Sequence, residues 1–530
     1  MASSAPPAMR SVAAADGPRL WGHPPGLFLL FAVEMWERFS YYGMRGLLVL
    51  YLIAATTGDA TGFNPGRGWS NADASTLYGW YTGLAYLFPI VGGIIADKLI
   101  GTHRSMLVGG VLITLGHVVL AISGIGSLAH DHLGMSVFVA GLALIVLGTG
   151  HFKPSVSVMV GQLYPQGDSR RDGAFTIFYM GINLGAFLCA FICGTLGEKV
   201  GWHWGFGSAA VGMVAGLVAY VVLRPRYLAH VGLPPAGRTI GGLPFIAASL
   251  VLAAAFGWLY HAEWLTFVDT LLTPVTVSVV GIVVLALTVW FVAIQRPEDR
   301  GPVASIFLFM IFNVFFWIAF EQAGSSINVF TERNTDRSLY GLEVPATWFQ
   351  SVNAGLIFVL APAFAALWTW LGRRRLDPSQ PLKIALGLVF LGVGYVFMVW
   401  AALVARDGAK ASMLLIMLTY LWHTIGELCL SPTGLSYVTK VAPVRFVSLL
   451  MGVWFISSFI ANLAGGLVAA QVEAVERGAV ALPWHFGGQA DFFFLFVVSS
   501  LGVGLLVAML SPLLVRLIGV RDQADGPPIA

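Results

Sequence analysis

The chain reads as an all-α polytopic membrane protein with fourteen membrane-spanning helices. Three observations lead there. Of 530 residues, 57% are hydrophobic and 10% charged, whereas a soluble domain carries roughly 25% charged residues. Fourteen apolar segments approach or exceed the roughly 20 residues that a helix needs to cross a bilayer. Lys and Arg crowd alternate loops, as the positive-inside rule requires of a chain that threads a membrane repeatedly.

The segments follow in order. Residues 1–24 are rich in Ala, Ser and Pro and lack an apolar centre, so they read as a disordered leader and not a signal peptide. Spans at 27–55, 75–97, 105–126, 135–161, 173–196 and 204–223 make a first set of six within residues 25–224. Gly and Pro recur inside them, as membrane helices tolerate, and Gly92, Gly93 and Ala96 form a small-residue run suited to close helix contact. Spans at 240–260 and 273–294, within residues 225–301, carry no charge in their apolar centres and have basic, Pro-rich flanks. They read as an inserted hairpin facing lipid. A second set of six lies within residues 302–519, at 303–331, 345–371, 382–404, 412–439, 446–472 and 489–515. Residues 520–530 read as a disordered tail.

With a cytoplasmic N-terminus, nineteen Lys and Arg residues fall on the cytoplasmic side and seven outside, which places the C-terminus inside too. The other three basic residues, Arg38, Arg45 and Lys153, fall within spans. Two six-helix sets around an insertion suit a transporter built from related halves, although no residue-level repeat is visible. Cys189, Cys193 and Cys429 all lie in apolar segments and read as buried thiols. No disulfide framework or metal-ligand spacing appears, and no cofactor or nucleic-acid partner is implied.

The costly residues are the charges inside spans. Glu34, Glu37 and Arg38 lie within five residues of the first span. Each central charge costs roughly 2.5–3.5 kcal/mol on insertion scales, so such residues face each other, water or a ligand. On a helix, Glu34, Glu37, Arg38, Tyr41 and Arg45 share one stripe about 100° wide, which should face a polar interior. A salt-bridge seam between helices is the plain alternative. Lys153, Glu321 and Glu427 lack a local partner of opposite charge, so partners are expected on other helices. For Glu321, ten residues from the end of its span, snorkelling to the interface is the plain alternative.

Divided by half, the first six spans supply Glu34, Glu37, Arg38, Arg45 and Lys153, and the last six supply Glu321 and Glu427. A cavity between halves with one positive and one negative wall suits a zwitterion, its carboxylate near Arg45 or Lys153 and its ammonium near Glu427. The seven charges sum to −1, so one bound proton would neutralise the set. Asn183 and Asn353 lie mid-span, where each amide needs a partner, either a ligand or another helix. Tyr41, Tyr42, Tyr78, Tyr86, Trp317, Trp454 and Phe455 are candidates for cavity walls, against ordinary packing. Asp97 closes the second span beside a basic loop and reads as either a cap or a gating ion pair. Intramembrane proteolysis lacks its motifs: there is no HExxH or GxSxG and no paired intramembrane aspartates.

These residues also carry a resemblance. EMWERFSYYGMR, from Glu34 to Arg45, resembles the ExxER signature of the proton-dependent oligopeptide transporter family. FTIFYMGINLGAF, from Phe175, resembles that family's second signature, and GGIIADKLIGTHR, from Gly92, resembles the loop motif of the wider major facilitator superfamily. The similarity runs from about Gly26 to Arg516. It implies two six-helix bundles plus the two-helix insertion of bacterial members, in a bacterial cytoplasmic (inner) membrane. It implies proton-driven symport of di- and tripeptides by alternating access, with no enzyme chemistry, a proton as coupling ion and a monomer as the working unit.

By position, the resemblance implies proton coupling through Glu34, Glu37, Arg38, Glu321 and Lys153. It implies peptide binding by Arg45, Lys153, Tyr41, Tyr42, Tyr86, Asn183, Trp317, Asn353, Glu427, Ser431, Trp454 and Phe455, with Asp97 in gating. Where some members carry a proton-linked histidine in the second helix, this chain has Gly79, so protonation should rest on carboxylates. Rival readings are a relative moving nitrate or another small anion, which the amine-suited Glu427 disfavours, and a peptide-sensing receptor that does not transport.

Overall fold

The computed structural model describes residues 19–59, 62–165, 167–237, 240–266, 272–430, 437–438 and 441–518. Its long helices are α1 Pro25–Ile53, α2 Asn71–Ile95, α3 Thr102–Ile122, α4 His132–Gln162, α5 Arg170–Cys189, α6 Trp202–Tyr227, α7 Leu243–His261, α8 Pro274–Ala293, α9 Pro297–Phe320, α10 Gln350–Arg373, α11 Gln380–Arg406, α12 Met413–Leu430, α13 Val447–Ala469 and α14 Ala490–Ile518. Among the described residues, α2 to α14 are each long and apolar enough to cross a membrane. The helix α1 is as long, but Glu34, Glu37, Arg38 and Arg45 dilute its hydropathy.

Local chemistry sets many boundaries. Proline opens α1, α8 and α9, where its missing N–H costs nothing. Ser70 caps α2 and Thr273 caps α8, each side chain accepting from a backbone N–H three residues on. Three spans change geometry without ending. A π turn at Ala96–Ile100 extends α2, another at Ala190–Gly194 carries α5 into the short helix Thr195–Lys199, and a 3-10 turn at Glu321–Gly324 carries α9 into Ser326–Asn334. The ninth span is therefore 38 residues long, so Glu321 lies well inside it and does not snorkel. Its side chain is 5% exposed.

The helices form two bundles of six, α1–α6 and α9–α14. In the first, α1 packs against α5 and α6, and α4 against α2 and α3. In the second, α11 packs against α12 and α14. The pair α7 and α8 is peripheral, as expected of a lipid-facing hairpin. The helix α7 leans on α4 through Ser249, Ala253 and Gly257, while α8 buries none of its described residues. Cys189, Cys193 and Cys429 are buried and free.

Some features were not legible as helical spans. Residues 20–23 form a turn closed by two backbone hydrogen bonds, and His23 bonds to the Tyr164 hydroxyl at 2.7 Å. Two very short strand pairs join Thr335–Asp336 to Ala411–Ser412 and Ser338–Leu339 to Leu342–Glu343. The second pair turns on Tyr340 and Gly341, both at positive φ, which matches the twist of a two-residue hairpin. The twelfth span is helical to Leu430. Most of the expected continuation to residue 439 lies outside the described residues, as do most of the N-terminal leader and the C-terminal tail.

The bundles touch through α2 on α13 and α5 on α10, and α1 contacts the Glu321–Asn334 segment. Glycine permits the first contact: a Cβ at Gly79 would stand 3.0 Å from both Gly466 Cα and the Leu463 carbonyl. A histidine at position 79 would need α13 displaced. Hydrogen bonds and ion pairs between bundles concentrate at the end bearing residues 195–203 and 335–349. Toward the other end α5 is uncovered, with Phe175 and Tyr179 both 37% exposed.

Gly92 and Gly93 give a sharp test of packing. A Cβ at Gly92 would collide with the Gly150 backbone on α4, whereas one at Gly93 would meet nothing nearer than Pro154 at 3.7 Å. Gly92→Ala should destabilise by about 1–3 kcal/mol. Gly93→Ala should be neutral or stabilising, by up to about 1 kcal/mol. Thermal unfolding in detergent reads both, and equal melting temperatures would contradict the packing.

Candidate functional site

A cavity of about 220 Å³ lies between the bundles. Tyr42, Arg45, Tyr86 and Asn183 line it from the first bundle, and Trp317, Glu321, Asn353 and Glu427 from the second. Eight residues singled out from the sequence thus converge on one space.

Its centre is an ion pair between bundles. Arg45 is 7% exposed; its Nη2 pairs with Glu321 Oε2, and its Nε donates to the Tyr78 hydroxyl at 2.6 Å. The break in α9 makes this possible. The 3-10 turn presents Glu321 toward α1, and Gly324 leaves room for Tyr78, whose hydroxyl would collide with a Cβ there. Arg45 also lies against the faces of Tyr42 and Tyr78, 5.6 and 5.8 Å from their centroids. Buried charges require such company, because desolvation offsets much of their attraction. In this conformation Arg45, the candidate partner of a ligand carboxylate, is occupied by a carboxylate of the other bundle.

The ExxER cluster sits elsewhere. Arg38 Nε is 3.1 Å from Glu34 Oε1 and 2.5 Å from Glu37 Oε2, and its guanidinium lies 5.3 Å from the Tyr41 centroid. Neither ion pair has hydrogen-bond geometry, since both Glu37 oxygens and Arg38 Nε and Nη2 lack directed partners. Glu37 and Arg38, consecutive on the helix, do not face each other. Glu34, Glu37, Arg38 and Tyr41 are buried inside the first bundle and do not line the cavity. Arg38 and Arg45 are two helical turns apart, about 10 Å along the axis, so the five-residue stripe is divided between bundle interior and cavity.

Lys153 lies close enough to Arg38, Glu37, Glu34 and Glu321 to interact electrostatically. Among the described residues, however, no carboxylate is within ion-pairing distance of it. Its Nζ instead stands 3.8 Å from the Tyr86 ring centroid, a cation–π contact. The expected acid partner on another helix is absent here, and Tyr86 separates Lys153 from the cavity that Tyr86 lines.

The two asparagines resolve differently. Asn353 Nδ2 donates across helices to Glu427 Oε2 and Thr424 Oγ1, each at 2.9 Å, so it orients the Glu427 carboxylate. Asn183 Nδ2 bonds the Tyr179 carbonyl of its own helix at 3.0 Å. Trp454 belongs to the apolar core of the second bundle, and Phe455 is half-buried; neither lines the cavity. Ser431 lies outside the described residues. Asp97 is exposed on the π turn after α2 and forms no ion pair among the described residues.

Sequence reasoning missed Tyr179, Gln350, Tyr420 and His423, which also line the cavity. His423 and Tyr420 precede Glu427 by four and seven residues, and Gln350 precedes Asn353 by three. Helical spacing from a suspected site residue could have found these. Gln350 Nε2 and His423 Nε2 are buried without hydrogen-bond partners.

If the Arg45–Glu321 pair joins the bundles, Glu321→Gln should destabilise by about 3–5 kcal/mol, because it strands a buried guanidinium. Arg45→Met with Glu321→Leu should recover most of that loss. Melting temperatures of the single and double variants decide it; a double variant no more stable than Glu321→Gln would show that the charges are not coupled.

Comparison with known proteins agrees with this architecture. Residues 103–484 match the sequence profile described as POT family. The chain is 37% identical over 471 residues to the peptide transporter YePEPT of Yersinia enterocolitica, covering 86% of this chain and 90% of that one. It is 36% identical over 513 residues to the di-/tripeptide transporter of Lactococcus lactis subsp. cremoris, covering 94% and 97%. Among solved structures, a peptide transporter POT in complex with sulfate superposes with TM-score 0.77 at 34% identity, covering 94% of this chain and 97% of that one. A POT family transporter in complex with 5-aminolevulinic acid gives TM-score 0.76 at 28% identity, with 94% and 98% covered. A profile match across most of the chain, relatives aligned nearly end to end and the shared two-bundle fold establish that the chain belongs to the POT family, the proton-dependent oligopeptide transporters of the major facilitator superfamily.

Proposed function

We propose that the protein is a secondary active symporter that imports di- and tripeptides with protons by alternating access, as a monomer in a bacterial cytoplasmic membrane. One observation carries the reading. The cavity places a cation and a carboxylate that can serve the two ends of a peptide on opposite bundles, and the cation is held by a further acid, Glu321. Relatives named as peptide transporters support the substrate class.

In the mechanism, a proton on Glu321 removes its charge and frees Arg45 for the peptide carboxylate. The peptide ammonium goes to Glu427, which Asn353 holds in place. Tyr42, Tyr86 and Trp317 enclose the backbone. The acids Glu34 and Glu37, balanced against Arg38 and Lys153, give the proton a second station, two turns along α1. In this scheme Arg45 is the cation released. With the basic loops cytoplasmic, the joined end faces outward and the uncovered end faces the cytoplasm. A charge moved inward through 100 mV gains about 2.3 kcal/mol, so the membrane potential assists uptake. The anion-transport alternative is disfavoured by two carboxylates in a cavity whose arginine is already paired.

Proteoliposomes with an imposed pH gradient should accumulate labelled dialanine and show proton influx on peptide addition; absence of both would refute symport. Glu37→Gln should abolish gradient-driven uptake while sparing counterflow exchange. Glu427→Gln should raise KM about tenfold or more, since a lost charge-assisted hydrogen bond costs roughly 1.5–3 kcal/mol.

A further inference from the structure

The joined end of the molecule is held by a carboxylate, its side chain 9% exposed, that lies in none of the three motifs. Glu198 sits on the short helix Thr195–Lys199, directly after the π turn Ala190–Gly194 of α5. It reaches across to the 3-10 turn Ala346–Phe349, which leads into α10 in the other bundle. Its Oε2 accepts from Ala346 N at 2.8 Å, and its Oε1 accepts from Thr347 N at 2.9 Å and from Thr347 Oγ1 at 2.7 Å. The first N–H groups of a helix have no partner within it and carry partial positive charge, so a carboxylate satisfies them well. Here that carboxylate comes from the opposite bundle. Ala346 and Thr347 are buried, so their N–H groups depend on it.

Further polar contacts align with this cap. Arg337 Nη1 lies 3.7 Å from Glu198, and Arg337 Nη2 lies 2.8 Å from Glu343. Lys199 then pairs with Glu343 across the bundles at 3.2 Å. Partial burial pushes the Glu343 carboxyl up, but Arg337 and Lys199 outweigh it and hold the group below its ordinary value. Trp348 Nε1 donates to Thr195 Oγ1 at 2.9 Å. A Cβ at Gly194 would collide with the Thr347 side chain, so the two elements approach this closely only because residue 194 is glycine.

The cap is also continuous with the cavity. Cys189, Ala190 and Gly194 form part of the cavity wall, and so do Thr347 and Gln350 on the facing element. Glu198 follows Gly194 by one turn. The Ala190–Gly194 turn, a geometry often found at functional sites, is therefore cavity wall at one end and gate support at the other.

We propose that Glu198 is a positioning residue that locks the gate at this end, by capping the 3-10 turn that leads into α10 of the other bundle, and that opening toward this end requires the cap to part. Contents of the cavity act on the lock through the shared π turn. This rests on the alternating-access reading above.

The test places spin labels at Val200→Cys and Leu342→Cys, which are 52% and 75% exposed on opposite sides of the gate, while the three native cysteines stay buried. Distances are measured in lipid nanodiscs without peptide. The parent protein should show one short-distance population. Glu198→Gln has one acceptor oxygen in place of two and turns an NH₂ toward a backbone donor, so it should raise the long-distance fraction about tenfold. Thr347→Ala removes one donor and should raise it less; it also serves if Glu198→Gln does not fold. A lock that is merely structural would lower the melting temperature and leave the distances unchanged. Unchanged populations in both variants would overturn the proposal. Because no peptide is involved, failed dialanine uptake with a shifted distance distribution would count against the transport reading and for the lock.

Discussion

The Arg45–Glu321 ion pair is the constraint around which the interior is arranged. Two desolvated charges on different bundles are tolerated only with close geometry and added hydrogen bonds. The surroundings supply both. The Tyr78 hydroxyl accepts a hydrogen bond from Arg45 Nε, Tyr42 offers a ring face, and Gly324 leaves space for the Tyr78 hydroxyl. The helix α9 gives up regular geometry at Glu321 so that the carboxylate faces α1. Because the pair spans the bundles and lines the cavity, the chemistry of the site and the closure of the molecule are one problem. Any change in the charge of Glu321 alters both.

A second constraint is separation. The ExxER cluster is buried in the first bundle, two turns from Arg45, and does not reach the cavity. Between them stands Lys153, held against Tyr86, whose ring is also cavity wall. Any influence of this cluster on the cavity must therefore pass through the α1 helix or through the field at Lys153. Glu37 and Arg38 are incompletely hydrogen-bonded, so the cluster lacks the rigidity of a fully satisfied network.

The long spans deviate from regular helix at the places that matter. The π turn in α5 carries cavity wall and gate cap, and the 3-10 turn in α9 carries the central acid. Close glycine contacts, Gly79 on Gly466 and Gly194 on Thr347, allow the bundles to meet there. Glycine at position 79 also leaves no side chain on α2 at that contact.

Hydropathy, loop charge and intramembrane charge are local properties, so the sequence alone determined the helix count, the uncharged seventh and eighth spans and the placing of Glu34, Glu37, Arg38, Arg45, Lys153, Glu321 and Glu427 inside spans. A charge in an apolar segment announces its cost without naming its partner. Partnership depends on where helices hundreds of residues apart come to rest. Only the tertiary structure decided that Arg45 binds Glu321, 276 residues away, that Lys153 rests on a tyrosine ring and that Asn353 serves Glu427. It also exposed Glu198, which reads in sequence as an ordinary charge near the end of a span. Its hydrogen bonds run to backbone N–H groups 148 and 149 residues away, and backbone donors leave no mark in the amino-acid sequence.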